Sequence, residues 1–253
     1  MSDMPVCIAV AGASGTVGRL LVEALGLRGV QVIALSRDAG LDLTTGAGVE
    51  ERLAGAAAVV DVTNTASQDE REATAFFTAA ATHLGRAASR LALRRLVVLS
   101  IIGVDRVPGG YYAAKFAQEQ AARKAFGNAA VLRSAQFHEF AEQTLAWHRQ
   151  GRRCLVADMT IQPVALASVV GALADLACAA RAGPAASIAG PRREKLVDMV
   201  SSVAQRQGLE VEVIGQPVEA AIRGGALLPA ATATLTGPTF RQWLNERYRP
   251  DSR

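Results

Sequence analysis

The chain has 253 residues, half of them hydrophobic, and carries 27 Lys+Arg against 23 Asp+Glu for a formal charge of +4. That length holds a sizeable α/β core. The basic surplus is small and scattered, densest at the pairs Arg152-Arg153 and Arg192-Arg193, which excludes a nucleic-acid footprint. A mildly basic surface still suits an anionic ligand. Cys7, Cys154 and Cys178 are far apart and form no CxxC, so buried reduced thiols are expected, with neither disulfides nor a metal site. No apolar run reaches the roughly 18 residues of a membrane span. The N-terminus lacks a basic segment followed by an uninterrupted apolar stretch, so a soluble cytoplasmic protein is expected.

In chain order, Pro5–Ala11 is a short β-rich apolar run, the pattern of a buried parallel strand. A glycine-rich loop follows at once, Gly12-Ala13-Ser14-Gly15-Thr16-Val17-Gly18. Arg19–Arg28 then has helical spacing, with Leu20, Leu21, Ala24 and Leu25 inward, and Val30–Leu35 is the second strand. Ala56–Val62 reads as a strand, Glu70–Leu93 as a long Ala-rich helix, and Leu96–Ser100 as a strand. Tyr112–Phe126 reads as a helix ended by Gly127, Ala129–Leu132 as a strand, and Phe137–Arg149 as a helix. This alternation predicts a Rossmann-type doubly wound parallel sheet with helices on both faces. Beyond residue 150 the pattern loosens, with helices over 164–180 and 192–207 and a strand over 211–214. The expected division is a dinucleotide-binding domain over 1–150 and a small C-terminal substrate-binding lobe over 151–253.

The loop stands between a strand and a helix, the context a phosphate-binding turn demands. Gly12 permits a sharp turn, Gly15 lets the backbone approach a pyrophosphate, and Gly18 lets the first helix pack on the sheet. The helix N-terminus offers unpaired N–H groups and a positive dipole end. No Gly-Lys-Ser/Thr follows, which disfavours a Walker-type site. At the end of the second strand an acid would select NAD. Ser36 and Arg37 stand there instead, and a guanidinium pairs with a 2′-phosphate, so NADP is expected over NAD. Arg19 would add a second cation, whereas a slip in register would offer the ribose Asp38. Asp42-Leu43 reads equally as an adenine-pocket wall and as a plain surface turn.

Ser100 ends a strand at the edge where ligands of open α/β sheets bind. Tyr111 and Lys115, four apart, share a helix face. A neighbouring ammonium would lower the phenol pKa and let Tyr111 pass a proton to or from a substrate oxygen, with Ser100 holding that oxygen. Tyr111-Tyr112 reads alternatively as a packing pair at a helix start. Glu139 and Glu142 share a solvated helix face, His83 and His148 are helix-face histidines, and Trp147 and Trp243 are lobe packing.

The chain resembles the atypical short-chain dehydrogenase/reductases, in particular the NmrA-like NAD(P)H-binding family. The likeness is carried by VAGASGTVGR, ALSR, VVDVTNT, LVVLSIIGVDR, YYAAKFAQEQ, LRSAQFHEF, IQPVALASVV and SIAGP. It implies pyrophosphate contacts from Gly12, Ser14, Gly15, Thr16 and Val17, and 2′-phosphate contacts from Ser36 and Arg37. It places Thr63 and Asn64, at the end of the fourth strand, beside the cofactor ribose, and matches Ser100, Tyr111 and Lys115 to the superfamily's Ser-Tyr-Lys set. Lys115 would also hold the nicotinamide ribose, and Phe137, His138 and Phe140 would face the substrate pocket. The activity implied is NADPH-dependent reduction of a small carbonyl or quinone. The alternatives are a non-catalytic NADP(H) sensor with a protein partner and a nucleotide-sugar epimerase-like enzyme, the last set against a C-terminal lobe of small size.

Overall fold

A computed structural model describes residues 6–67, 69–179 and 186–249. The chain divides into two compact units: residues up to Arg133 with Val170–Ala186, and Ser134–Val169 with Ser187 onward. Residues 134–150, expected with the first lobe, group with the second.

The first unit is a parallel sheet with helices between its strands. Its elements are β1 (Cys7–Ala11), α1 (Thr16–Leu27), β2 (Gln31–Leu35), α2 (Val49–Leu53), β3 (Ala58–Asp61), α3 (Glu70–Arg90), β4 (Arg95–Ile101), α4 (Gly110–Ala125) and β5 (Ala130–Ser134). The strands lie in the order β5-β4-β3-β1-β2, and β1 pairs in parallel with both β2 and β3. Ile8, Ala9, Val10, Val59, Val60, Leu96 and Val97 are fully buried, as strands covered on both faces require. Residues 36–48 contribute no strand, so the strand before Thr63 is the third among the described residues rather than the fourth.

The long helix α3 buries Ala73, Phe77, Ala80, Ala81, Leu84, Ala87 and Ala88, one stripe at helical spacing. Asp69 caps its start by accepting from the Glu72 N–H at 2.9 Å. It stops at Arg90, short of the expected Leu93, because Ala92 turns to φ 52°. In α1, Leu21 and Leu25 are buried as expected, whereas Leu20 points outward. Leu41 and Leu43 plug the core beneath the loop after β2.

The second unit carries α5 (Phe140–His148), β6 (Arg149–Gln150), β7 (Arg153–Ala157), β8 (Thr160–Ile161) and the start of α6 (Leu166–Cys178). It continues with β9 (Ala186–Ala189), β10 (Glu194–Lys195), α7 (Leu196–Arg206), β11 (Glu212–Gln216), α8 (Ala220–Arg223), β12 (Thr234–Leu235) and α9 (Phe240–Arg247). β7 pairs parallel to β11 and antiparallel to β6. The α5 helix starts three residues later than expected because Phe137 bridges to Val164. The sequence reading missed α9, although Thr239 and Gln242 form a complete capping box.

Several surface expectations are corrected. Trp147 is two-thirds exposed, and Cys178 is exposed rather than buried. Glu139 is half-buried, and its pKa is raised by that burial. Glu142 is engaged by Arg247 and accepts from the Tyr248 hydroxyl at 2.7 Å. Among the described residues there is no disulfide, no cluster of metal-binding side chains and no helix long and apolar enough to cross a membrane.

Candidate active site

The strand order places a switch point between β1 and β3, where ligands of open parallel sheets bind. The glycine loop leaves β1 there. The Gly12 and Ala13 N–H groups both donate to Leu35 O, at 2.9 and 3.2 Å, which ties the loop to the end of β2. Gly12 has φ 84°, and a Cβ on it would meet Val62 O at 2.9 Å and Thr63 Cα at 3.0 Å. A Cβ on Gly18 would lie 2.1 Å from Gly12 O. Gly15 differs, since its only near neighbour would be Gly12 O at 3.3 Å. It is the N-cap of α1, no side chain caps it, and the first turn holds no acid. The exposed Ser14, Gly15 and Thr16 therefore leave an open helix N-terminus, a cradle that fits a diphosphate.

Beside the loop is a cavity of about 280 Å³ lined by Ala13, Ser14, Arg19, Val22, Ala34, Ser36 and Asp38. Ser36 is where expected, and its Oγ accepts from the Ala39 N–H at 3.3 Å. Arg37 is exposed on a single 3₁₀ turn, Arg37–Ala39, and does not line this cavity. Arg19 does, together with Asp38. Asp42 accepts from the Thr44 N–H and hydroxyl, while Leu43 is buried, so the pair is a surface turn and not an adenine wall.

The Tyr111–Lys115 face assembles differently from its sequence expectation. Tyr111 opens α4, and its hydroxyl donates to Asn64 Oδ1 at 2.7 Å. Its ring meets Phe77 edge-on at 5.8 Å between centroids. Burial, with a smaller push from Tyr112, raises the phenol pKa to about 12. The expected lowering by Lys115 is absent. The Lys115 ammonium instead donates to Leu99 O at 2.9 Å and to Gln118 Oε1, and stands 4.6 Å from the centroid of the Phe77 ring. Burial lowers its pKa to about 8, opposed by the charges of Asp61 and Glu119. Tyr111 and Lys115 thus flank one aromatic ring without bonding each other. Just before them the Gly110 N–H donates to Glu70 Oε2 at 2.7 Å, so the first residue of α3 clasps the start of α4.

Ser100 lies on β4, buried, and its Oγ has no hydrogen-bond partner among the described residues. Thr63 is buried at the end of β3, and its N–H and hydroxyl both donate to Asp61 Oδ1, at 3.0 and 2.7 Å. In the second unit, Phe137 and Phe140 are half-buried. His138, expected in a substrate pocket, is wholly buried, with its ring against Phe240 and Trp243 and Nε2 3.1 Å from Pro238 O. It serves as core packing there. Sequence reasoning missed Asp61, Gln118 and Phe77. Asp61 did leave a signal, as a carboxylate inside the otherwise apolar run AAAVVDV.

No protein-family model matches the chain, and no curated protein matches it in sequence. Fold and geometry together define a Rossmann-type α/β protein with a glycine-rich loop at the switch point of its sheet. Solved structures share that fold over nearly the whole chain. A dTDP-4-dehydrorhamnose reductase from Bacillus anthracis in complex with NADP is 17% identical at TM-score 0.73, covering 98% of this chain and 99% of that one. A short-chain dehydrogenase/reductase superfamily protein from Agrobacterium tumefaciens with bound NAD is 16% identical at TM-score 0.72, covering 96% of each. A UDP-glucose 4-epimerase from Thermus thermophilus in complex with NAD is 18% identical at TM-score 0.68, covering 97% and 94%.

Proposed function

We propose that this chain is a nicotinamide-dinucleotide-dependent oxidoreductase of the atypical short-chain dehydrogenase/reductase kind, NmrA-like, taking NADPH and reducing a small carbonyl or quinone. The observation that carries this reading is the contiguity of loop and phenol. Gly12 packs on Thr63, and the next residue, Asn64, accepts the Tyr111 hydroxyl. A diphosphate against residues 12–18 and a proton donor therefore adjoin through two consecutive residues. The likeness to structures holding NADP or NAD supports the cofactor class.

In this reading the backbone of Gly12, Ser14, Gly15, Thr16, Val17 and Gly18 holds the diphosphate. Ser36 takes the adenosine end, with Arg19 lining the cavity and the exposed Arg37, on the turn just after Ser36, supplying charge for a 2′-phosphate. Thr63 and Asn64 stand at the ribose. The bound dinucleotide supplies a hydride at its nicotinamide. Tyr111 supplies the proton: a phenol with a pKa near 12 stays protonated at neutral pH, as a reductive step requires. Ser100 Oγ, without a hydrogen-bond partner among the described residues, is the donor for the substrate oxygen. Lys115 enters this reading as a buried positive charge beneath the tyrosine, because its hydrogen bonds go elsewhere.

A second reading, a nucleotide-sugar epimerase-like enzyme, gains from the comparisons. The Thermus epimerase is matched over 94% of its own length, so the size of the second lobe does not separate the two. Calorimetric titration with NADPH and NADH decides the cofactor, with tighter NADPH expected. Absorbance at 340 nm with aldehydes, quinones, and UDP- and dTDP-hexoses then decides the reaction. Net NADPH oxidation by a carbonyl or quinone is expected. Sugar interconversion without net oxidation moves the assignment to the second reading, and NADPH binding with no turnover of any substrate moves it to a sensor.

A further inference from the structure

Beneath the tyrosine lies a polar network that an ordinary apolar core would not keep. Asp61, Gln118 and Glu119 are completely buried, and Lys115 nearly so. Asp61 Oδ1 accepts two bonds from Thr63, while Oδ2 accepts from Gln118 Nε2 at 2.8 Å. The other end of that amide, Oε1, accepts from Lys115 Nζ. A carboxylate only accepts and an ammonium only donates. The Gln118 amide between them therefore has one permitted orientation, and Asp61 dictates it. The ammonium's three donors are then taken by Leu99 O, Gln118 Oε1 and the face of Phe77.

We propose that Asp61 and Gln118 are positioning residues: through the Gln118 amide, Asp61 fixes the direction of the Lys115 side chain and keeps it charged. Four elements face the ammonium. From β3 comes Asp61, from β4 the Leu99 carbonyl, and from α3 the Phe77 ring. From α4 itself come Tyr111, Gln118 and Glu119. Glu119 is engaged chiefly elsewhere, since Arg133 donates to both its oxygens at 2.8 and 2.9 Å and Arg123 stands at 3.5 Å. Asp61 makes no ion pair within 4 Å among the described residues; its charge reaches Lys115 at longer range, and the Gln118 amide is the hydrogen-bonded link between the two. Burial alone pulls the ammonium toward neutrality, and Asp61 is the first of the two charges opposing it.

The effect of this network on turnover rests on the oxidoreductase reading, but the state of the ammonium does not. The chain has three lysines, Lys115, Lys124 and Lys195, so ε-13C-lysine NMR of the cofactor-free protein reads Lys115 directly. In the wild type its signal is expected to titrate near pH 8, because burial lowers the ammonium from its ordinary range. Asp61→Asn lowers that midpoint by about one unit or more, as loss of a near opposite charge does. Gln118→Met, which leaves Asp61 intact but cuts the relay, also lowers it and serves if the first variant fails to fold. Adding Gln118→Glu to Asp61→Asn returns a carboxylate to Lys115, with the amide now at position 61 donating to that carboxylate, and restores the midpoint. A merely structural role would not produce that recovery. Unchanged titration in Gln118→Met, or no recovery in the double variant, overturns the proposal. If an NADPH-linked substrate is found, kcat of Asp61→Asn falls while KM holds, and its pH limb moves with the NMR midpoint. Absence of any such substrate defeats the oxidoreductase reading and leaves the titration result standing.

Discussion

The glycine loop and the Tyr111–Lys115 face, the two halves of the proposed site, are built by opposite means. The loop is backbone: it works because side chains are missing at residues 12, 15 and 18, and its hydrogen bonds run to Leu35 O and within itself. The helix face is side chain. Each of its groups is held by residues distant in sequence, Asn64 on Tyr111, and Asp61, Phe77 and Leu99 around Lys115. A backbone device tolerates no added atom, whereas a side-chain device tolerates a conservative change but shifts its chemistry.

Glycine substitutions test the first half of that contrast and carry the largest expected effect. A methyl at Gly18 has no room at 2.1 Å from a backbone oxygen, so Gly18→Ala loses about 3 kcal/mol or more of stability and all measurable dinucleotide binding. Gly15→Ala meets only a 3.3 Å contact, so its melting temperature stays near wild type while NADPH affinity falls roughly 100-fold. Equal losses of stability in both would break the comparison. On the helix face, Tyr111→Phe removes one hydroxyl and its bond to Asn64. It lowers kcat by about 100-fold or more with NADPH affinity intact and costs about 1 kcal/mol in urea unfolding. The adenosine end comes next. Arg19→Ala reduces NADPH affinity by about 10-fold and leaves NADH binding unchanged. The same change at Arg37, which stands outside the cavity, reduces it less, and calorimetry of the four pairs ranks them.

The last effect concerns pH. The phenol pKa of Tyr111 is raised from its ordinary 10 to about 12 on folding. The folded state thus holds the proton more tightly, and this contribution is full below pH 10 and lost as pH rises to about 12. The stability gap between wild type and Tyr111→Phe should therefore narrow across that window in urea titrations. A gap that widens there would place the phenolate, and not the phenol, in the folded protein.

The same contrast explains what was legible in the sequence. A turn made of missing side chains is a local pattern, so Gly12–Gly18 stood out between a strand and a helix. The i,i+4 spacing of Tyr111 and Lys115 was equally visible, but not the direction of the ammonium. That direction is set by Asp61 and Leu99, 54 and 16 residues away, on strands whose adjacency only the sheet order reveals. The burial of His138 was hidden for a related reason: it follows the end of a strand, as a ligand-facing residue should, but Phe240 and Trp243 from α9 pack on its ring. That helix is eight residues long with mixed composition, too short for periodicity to announce, although its Thr239–Gln242 cap was there to be read.

The clasp between Glu70 and the Gly110 N–H reaches beyond its one hydrogen bond. Asn64 grips the hydroxyl tip of Tyr111, while Glu70, six positions later, grips the backbone just ahead of the same residue. The tyrosine is pinned at both ends from a single stretch of chain that begins where Gly12 rests on Thr63. In the proposed site, a dinucleotide seated on the glycine loop would lie against Thr63, whose neighbour Asn64 holds the phenol, so the cofactor and the hydroxyl would share one short support.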